Sequence, residues 1–177
     1  MKAKKIRILD IAVIGAMTAI LLVAKVALDF LPNIELVTFL FIIYGLCMGK
    51  RVLFVLPVFV ILQIALYPFG DWVYLYLWVW WIPVLAALLF SRVDNVIVWS
   101  IFSGVYGLLF GAFYALIYFV IGWAEGGVTF GLSSAFAKWI SGIPFDLTHC
   151  IGNFAVMLVL YKPIRKTLTS IKRSLSL

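Results

Sequence analysis

Residues 8–28 read ILDIAVIGAMTAILLVAKVAL, and this stretch decides the fold class. Only Asp10 and Lys25 carry charge in it. A helix that crosses a lipid bilayer needs about 20 mostly apolar residues, and this run has that length. The basic start before it, Lys2, Lys4, Lys5 and Arg7, resembles the opening of an export signal. The apolar run is too long for one, however, and no small-residue cleavage site precedes the next segment. Asp29-Phe-Leu-Pro-Asn33 then stops the helix with a turn.

Working outward, the rest of the chain repeats this pattern. Further apolar segments cover residues 34–48, 52–67, 72–90, 96–121 and 139–161. Between them stand Gly49-Lys50-Arg51, Pro68-Phe-Gly-Asp71, Ser91-Arg-Val-Asp-Asn95 and a glycine-containing amphipathic stretch, 122–138. That last stretch is expected to be a loop with a short surface helix. The sequence predicts an all-α integral membrane protein: one domain, residues 1–177, with six transmembrane helices. Hydrophobic residues make up 66% of the chain, charged residues 12%, and mean hydropathy is +1.20. A soluble fold of 177 residues could not cover that much apolar surface.

The charges set an orientation. Of the fourteen basic residues, all but Lys25 and Lys138 gather at one side of the expected bundle. That set comprises the N-terminal four, Lys50, Arg51, Arg92, Lys162, Arg165, Lys166, Lys172 and Arg173. The positive-inside rule places this side, and with it both termini, in the cytoplasm. The opposite side holds Asp29, Glu35, Asp71 and Glu125. The net charge of +7 therefore belongs to topology, and no nucleic-acid partner is expected. Cys47 and Cys150 form no C-x-x-C pattern and read as packing residues, with no metal site or disulfide framework.

Polar groups inside lipid cost about 2.5–3.5 kcal/mol when charged, so they need a reason. Asp146, His149 and Asn153 are spaced three and four apart and share one helical face. Either they join helices by hydrogen bonds or they contact a solute. Lys25 and Asp29 form an i,i+4 pair or face the same cavity. The outer aromatics Trp72, Tyr74 and Tyr76 read as an interfacial belt, whereas Trp78, Trp80 and Trp81 lie deeper, and some of them are expected to line an interior cavity. Two stripes of small residues allow close helix approach. Ser100, Gly104, Gly107, Gly111 and Ala115 suit internal packing, whereas Ala12-x-x-x-Ala16 packs internally or meets another membrane protein.

With these segments in order, the chain resembles the substrate-binding S components of energy-coupling factor (ECF) vitamin importers. The resemblance covers nearly the whole chain. It rests on the span count, Ala12-x-x-x-Ala16, Leu31-Pro-Asn-Ile-Glu-Leu-Val37, Gly45 and Gly49, and Gly142-Ile-Pro-Phe-Asp-Leu-Thr-His-Cys150 followed by Asn153. It implies a high-affinity binding subunit in a bacterial cell membrane that captures a vitamin or related micronutrient, with cobalamin the leading candidate. It implies partnership with a transmembrane coupling protein and two cytoplasmic ATPases, with Ala12 and Ala16 facing the coupling protein. It also implies a solute site near the outer face, formed by Lys25, Asp29, Asn33, Trp72, Tyr74, Trp78, Trp81, Asp146, His149 and Asn153. No catalysis and no resident cofactor are expected. Two rivals stand beside this reading. One is a stand-alone carrier or channel. The other is an intramembrane serine protease using Ser103 and His149, although Ile101 breaks the G-x-S-G pattern. The chain carries no P-loop, so ATP must be hydrolysed by partners.

Overall fold

The computed structural model describes residues 7–31 and 33–176. Lys2, Lys4 and Lys5 of the basic start, and Pro32 of the first turn, lie outside the described residues. The described chain is helical: α1 Ile8–Ala27, α2 Val37–Met48, α3 Val52–Leu66, α4 Asp71–Tyr76, α5 Trp81–Leu89, α6 Val96–Leu108 and α7 Phe110–Ser174. Four helical runs are long and apolar enough to cross a membrane: Ile8–Ala27, Val37–Leu66, Asp71–Leu89 and Val96–Ser174.

Side-chain ties show where the runs turn. Arg51 Nη2 pairs with Asp10 at 2.7 Å, and Arg165 pairs with Asp94. These groups mark one end of the bundle, the basic end. Lys25 and Tyr67 both bond Asp29, and Lys138 lies 3.8 Å from Asp71. These mark the opposite end. The second run therefore doubles back at the 3-10 turn Gly49–Arg51, where Gly49 takes φ +63. The fourth run doubles back at Gly126 and Gly127, and Gly127 takes φ +80, a backbone shape that glycine adopts without strain.

The expected loop over 122–138 is thus corrected. It is helical apart from those two glycines. The other glycines there serve packing rather than turning. A Cβ on Gly122 would stand 3.0 Å from the Gly131 Cα, so the two limbs touch backbone to backbone. The continuous helix expected over 72–90 is also corrected, since α4 and α5 are separated by turns at 77–80. Pro83 explains the break, because its ring clashes with the carbonyl four residues back, at Val79.

The core forms around α2, in which Leu46 alone escapes burial. Phe41 packs on Phe59 and Trp80 at ring-centroid distances of 5.6 and 5.7 Å. Gly45 lets α5 approach: a Cβ there would meet Ala87 at 2.6 Å. Gly104 and Gly107 bring α6, and Gly111 the start of α7, against the later limb of α7, where a Cβ on Gly107 would stand 2.8 Å from the His149 backbone. The Ala12–Ala16 stripe behaves differently. Ala12, Gly15, Ala16 and Ala19 are exposed, and nothing lies within 4 Å of a Cβ built on Gly15.

Two prolines interrupt the later limb of α7. Pro144 and Pro163 each lack the amide that would continue the helical ladder. The hydroxyls of Thr148 and Thr167, four residues on, donate back to the carbonyls of Pro144 and Pro163 at 3.0 and 3.1 Å.

Candidate functional site

Three neighbouring cavities that share wall residues lie toward the end opposite the basic one. The first, about 260 Å³, sits beneath the 28–36 turn and is lined by Lys25, Asp29, Asn33, Glu35, Trp80 and His149 among others. The second, about 360 Å³, is bounded by Tyr114, Lys138, Ser141 and Asp146. Asn33, Tyr76 and Phe110 wall both. A third, about 140 Å³, lies between Gln63, Tyr67 and Trp72 and shares Lys25 and Tyr76 with the first. Tyr76 is thus the common wall.

The turn over the first cavity is held from both sides. Glu35 accepts the backbone amide of Thr38 at 2.9 Å, which places a carboxylate at the start of α2. That position favours negative charge through the helix dipole. The same carboxylate lies 3.1 Å from His149 Nε2 on α7. The imidazole in turn packs on Phe110, with centroids 4.8 Å apart. At the other edge, Asp29 accepts from Lys25 and Tyr67. Partial burial pushes the Asp29 carboxyl up, but these two hydrogen bonds outweigh it and leave it below the usual carboxylate range. The hydrogen bond that Tyr67 donates to Asp29, then burial and the carboxylate's charge, push that phenol up to about 12. Asn33 adopts φ +57, which asparagine tolerates better than most residues.

Asp146 has a different setting. Its Oδ1 accepts the Gly111 amide at 2.8 Å, where the α6 helix steps into α7. The side chain therefore serves the backbone as well as the second cavity. Lys138 closes that cavity between Tyr114 and Tyr118, its Nζ 5.0 and 4.5 Å from the two ring centroids. Tyr118 donates to Asp71 at 2.7 Å.

The expected site residues divide accordingly. Lys25, Asp29, Asn33, Trp72, Asp146 and His149 line these three cavities. Asn153 is buried one turn beyond His149 and lines none of the three. Tyr74 is exposed and packs on Phe69, and Trp78 packs on Phe113. Trp81 is half-buried and lines none of the three. Tyr76 and Trp80 line the first cavity instead, on the face they share with Trp72, with successive ring centroids 5.2 and 5.3 Å apart. Glu35, at the end of the 29–35 segment that the resemblance places over the site, lines the first cavity as well.

Ser103 and His149 are not partnered. Ser103 Oγ lies 3.1 Å from the carbonyls of Ser100 and Asn153, and His149 Nε2 meets Glu35. This geometry supplies no nucleophile–base pair. Among the described residues, no group of three or more His, Cys, Asp or Glu is arranged to hold a metal ion. Comparison with known proteins finds no matching family model, no matching curated protein and no matching solved structure.

Proposed function

We propose that the chain is the solute-binding membrane subunit of an ECF-type importer in a bacterial cell membrane. In this reading the reversals at Gly49–Arg51 and Gly126–Gly127 divide the four apolar runs into six spans, with both termini in the cytoplasm. The solute, a vitamin or related micronutrient, enters from the outside at the end opposite the basic residues. The observation that carries the reading is the first cavity, roofed by the 28–36 turn and closed by Glu35 on His149. Aromatic walls with a few fixed polar groups are what small-molecule sites require.

The separate cavities, about 260 and 360 Å³, suit one compact ring system. Cobalamin, a corrin macrocycle with a nucleotide tail, would need both volumes merged and the turn displaced. We therefore place a small planar ring ahead of cobalamin. The exposed Ala12 and Ala16 leave a smooth face on α1 for a transmembrane coupling protein. Two cytoplasmic ATPases would supply the energy.

The test is to purify the protein, identify the solute it carries, and measure uptake in vesicles with and without coupling protein and ATPases. Uptake that requires ATP and those subunits is expected. Uptake by the chain alone would make it a stand-alone carrier. Absence of any bound or transported small molecule would overturn the proposal.

A further inference from the structure

We propose that the cleft at the basic end of α7 binds the phosphate headgroup of an anionic phospholipid. This rests on the membrane reading above but not on the transport reading.

The cleft has a volume of about 630 Å³ and lies between the turn carrying Asp94 and the last turns of α7. Lys162, Arg165, Lys166 and Arg173 line it, with the hydroxyls of Thr169 and Ser170. Asp94 is the one carboxylate in the lining, and Arg165 and Tyr161 already engage it. Among the described residues, Lys162, Lys166 and Arg173 have no carboxylate within salt-bridge distance. Four cations and two hydroxyls around one open volume match the charge and the acceptor oxygens of a phosphate.

The helix supplies the second half of the match. Leu158, Lys162 and Lys166 follow one another at four-residue spacing and form one ridge along α7 that drifts by about 40° per step. Leu158 and, one step before it, Phe154 are 42% and 37% exposed. Exposed apolar side chains therefore adjoin the cationic cleft. A phospholipid has this same order of chemistry, with acyl chains along Phe154 and Leu158 and phosphate among the cations. A soluble anion would use the cleft but not the apolar side chains. A nucleic acid would need a longer cationic track than one cleft. Basic side chains just inside a spanning helix are attracted to anionic headgroups in this way.

Thermal unfolding of the purified protein in neutral detergent, followed by tryptophan fluorescence, tests the site. Titration with phosphatidylglycerol should raise the unfolding midpoint and saturate. Phosphatidylcholine and inorganic phosphate should not. Lys162→Ala with Lys166→Ala should weaken the apparent affinity about thirtyfold, roughly fivefold per cation. Lys50→Ala with Arg92→Ala removes equal charge from exposed positions outside the cleft and should bind like the parent. Leu158→Gln, which keeps every charge, should weaken phosphatidylglycerol binding too. The proposal is overturned if inorganic phosphate stabilises equally, if both double variants lose affinity alike, or if phosphatidylglycerol gives no shift.

Discussion

At the scale of single residues, the bond between Glu35 and His149 matters most, because it fixes the 28–36 turn over the first cavity. Glu35→Gln and His149→Phe should each weaken solute binding about tenfold or more in titrations of the purified protein, with helix content unchanged. Parental affinity in both would show that the turn does not guard the site. Asn153 gives the opposite expectation. Its side-chain amide is buried without a hydrogen-bond partner. Leu has nearly its shape and needs no partner, so Asn153→Leu should fold and bind like the parent. A lost solute would place Asn153 in the site after all. Asp29 and Tyr67 predict the pH response. The lowered Asp29 carboxyl adds stability above its ordinary value of 3.8, and that stability is lost as pH falls through its folded value. The raised Tyr67 phenol adds stability below its ordinary value of 10.0, lost as pH rises through about 12. The unfolding midpoint should therefore be level between these limits. Asp29→Asn should blunt the acid arm and Tyr67→Phe the alkaline arm. Each effect should stay under about 1 kcal/mol, since water screens the pair.

At the scale of helices, glycine placement separates packing from exposure. Gly107→Val would push a side chain onto the His149 backbone, 2.8 Å from the Cβ position, and should cost about 1–3 kcal/mol. Gly15→Val meets nothing within 4 Å and should leave the unfolding midpoint unchanged. Equal melting of the two variants would refute the contact between α6 and α7. The Asp146, His149 and Asn153 face was legible because i,i+3 and i,i+4 spacing follows from helix geometry alone. Which member reaches a cavity was not legible. That depends on how far the cavity extends along the helix, and the first cavity is lined by His149 but not by Asn153. In the aromatic run, four-residue spacing sets Trp72, Tyr76 and Trp80 on one face that lines the cavities, whereas Trp78 and Trp81 line none of the three. The stretch 122–138 misled because glycine serves close packing as readily as turning.

At the scale of the whole molecule, the apolar runs were legible from composition. Covering the outside of the bundle takes side chains from several runs, and Ile11, Phe54, Leu85, Ile101 and Ile151 all remain exposed. Lipid is the solvent that suits such a surface. If the six-span reading holds, cysteines placed beside Lys50 and Arg92 should react with an impermeant reagent only from the cytoplasm. Those beside Asp71 and Glu125 should react only from outside. Labelling of position 71 from the cytoplasm would reject that topology. Replacing Ala12 or Ala16 by Trp should reduce transport at least tenfold while solute binding persists, because both lie on an exposed face away from the cavities. Full transport in both variants would leave α1 facing lipid alone.

The two proline–threonine pairs on α7 have a mechanical consequence. A missing ladder bond and a hydroxyl folded back on a carbonyl both make a helix easier to bend. Pro144 and Pro163 bracket the stretch that carries Asp146, His149 and Asn153. At 1.5 Å per residue that stretch is a stiff bar roughly 28 Å long, with a compliant joint at each end. A bend at either joint would tilt the bar against α6, and the imidazole at position 149, 3.1 Å from the carboxylate at position 35, would move with it.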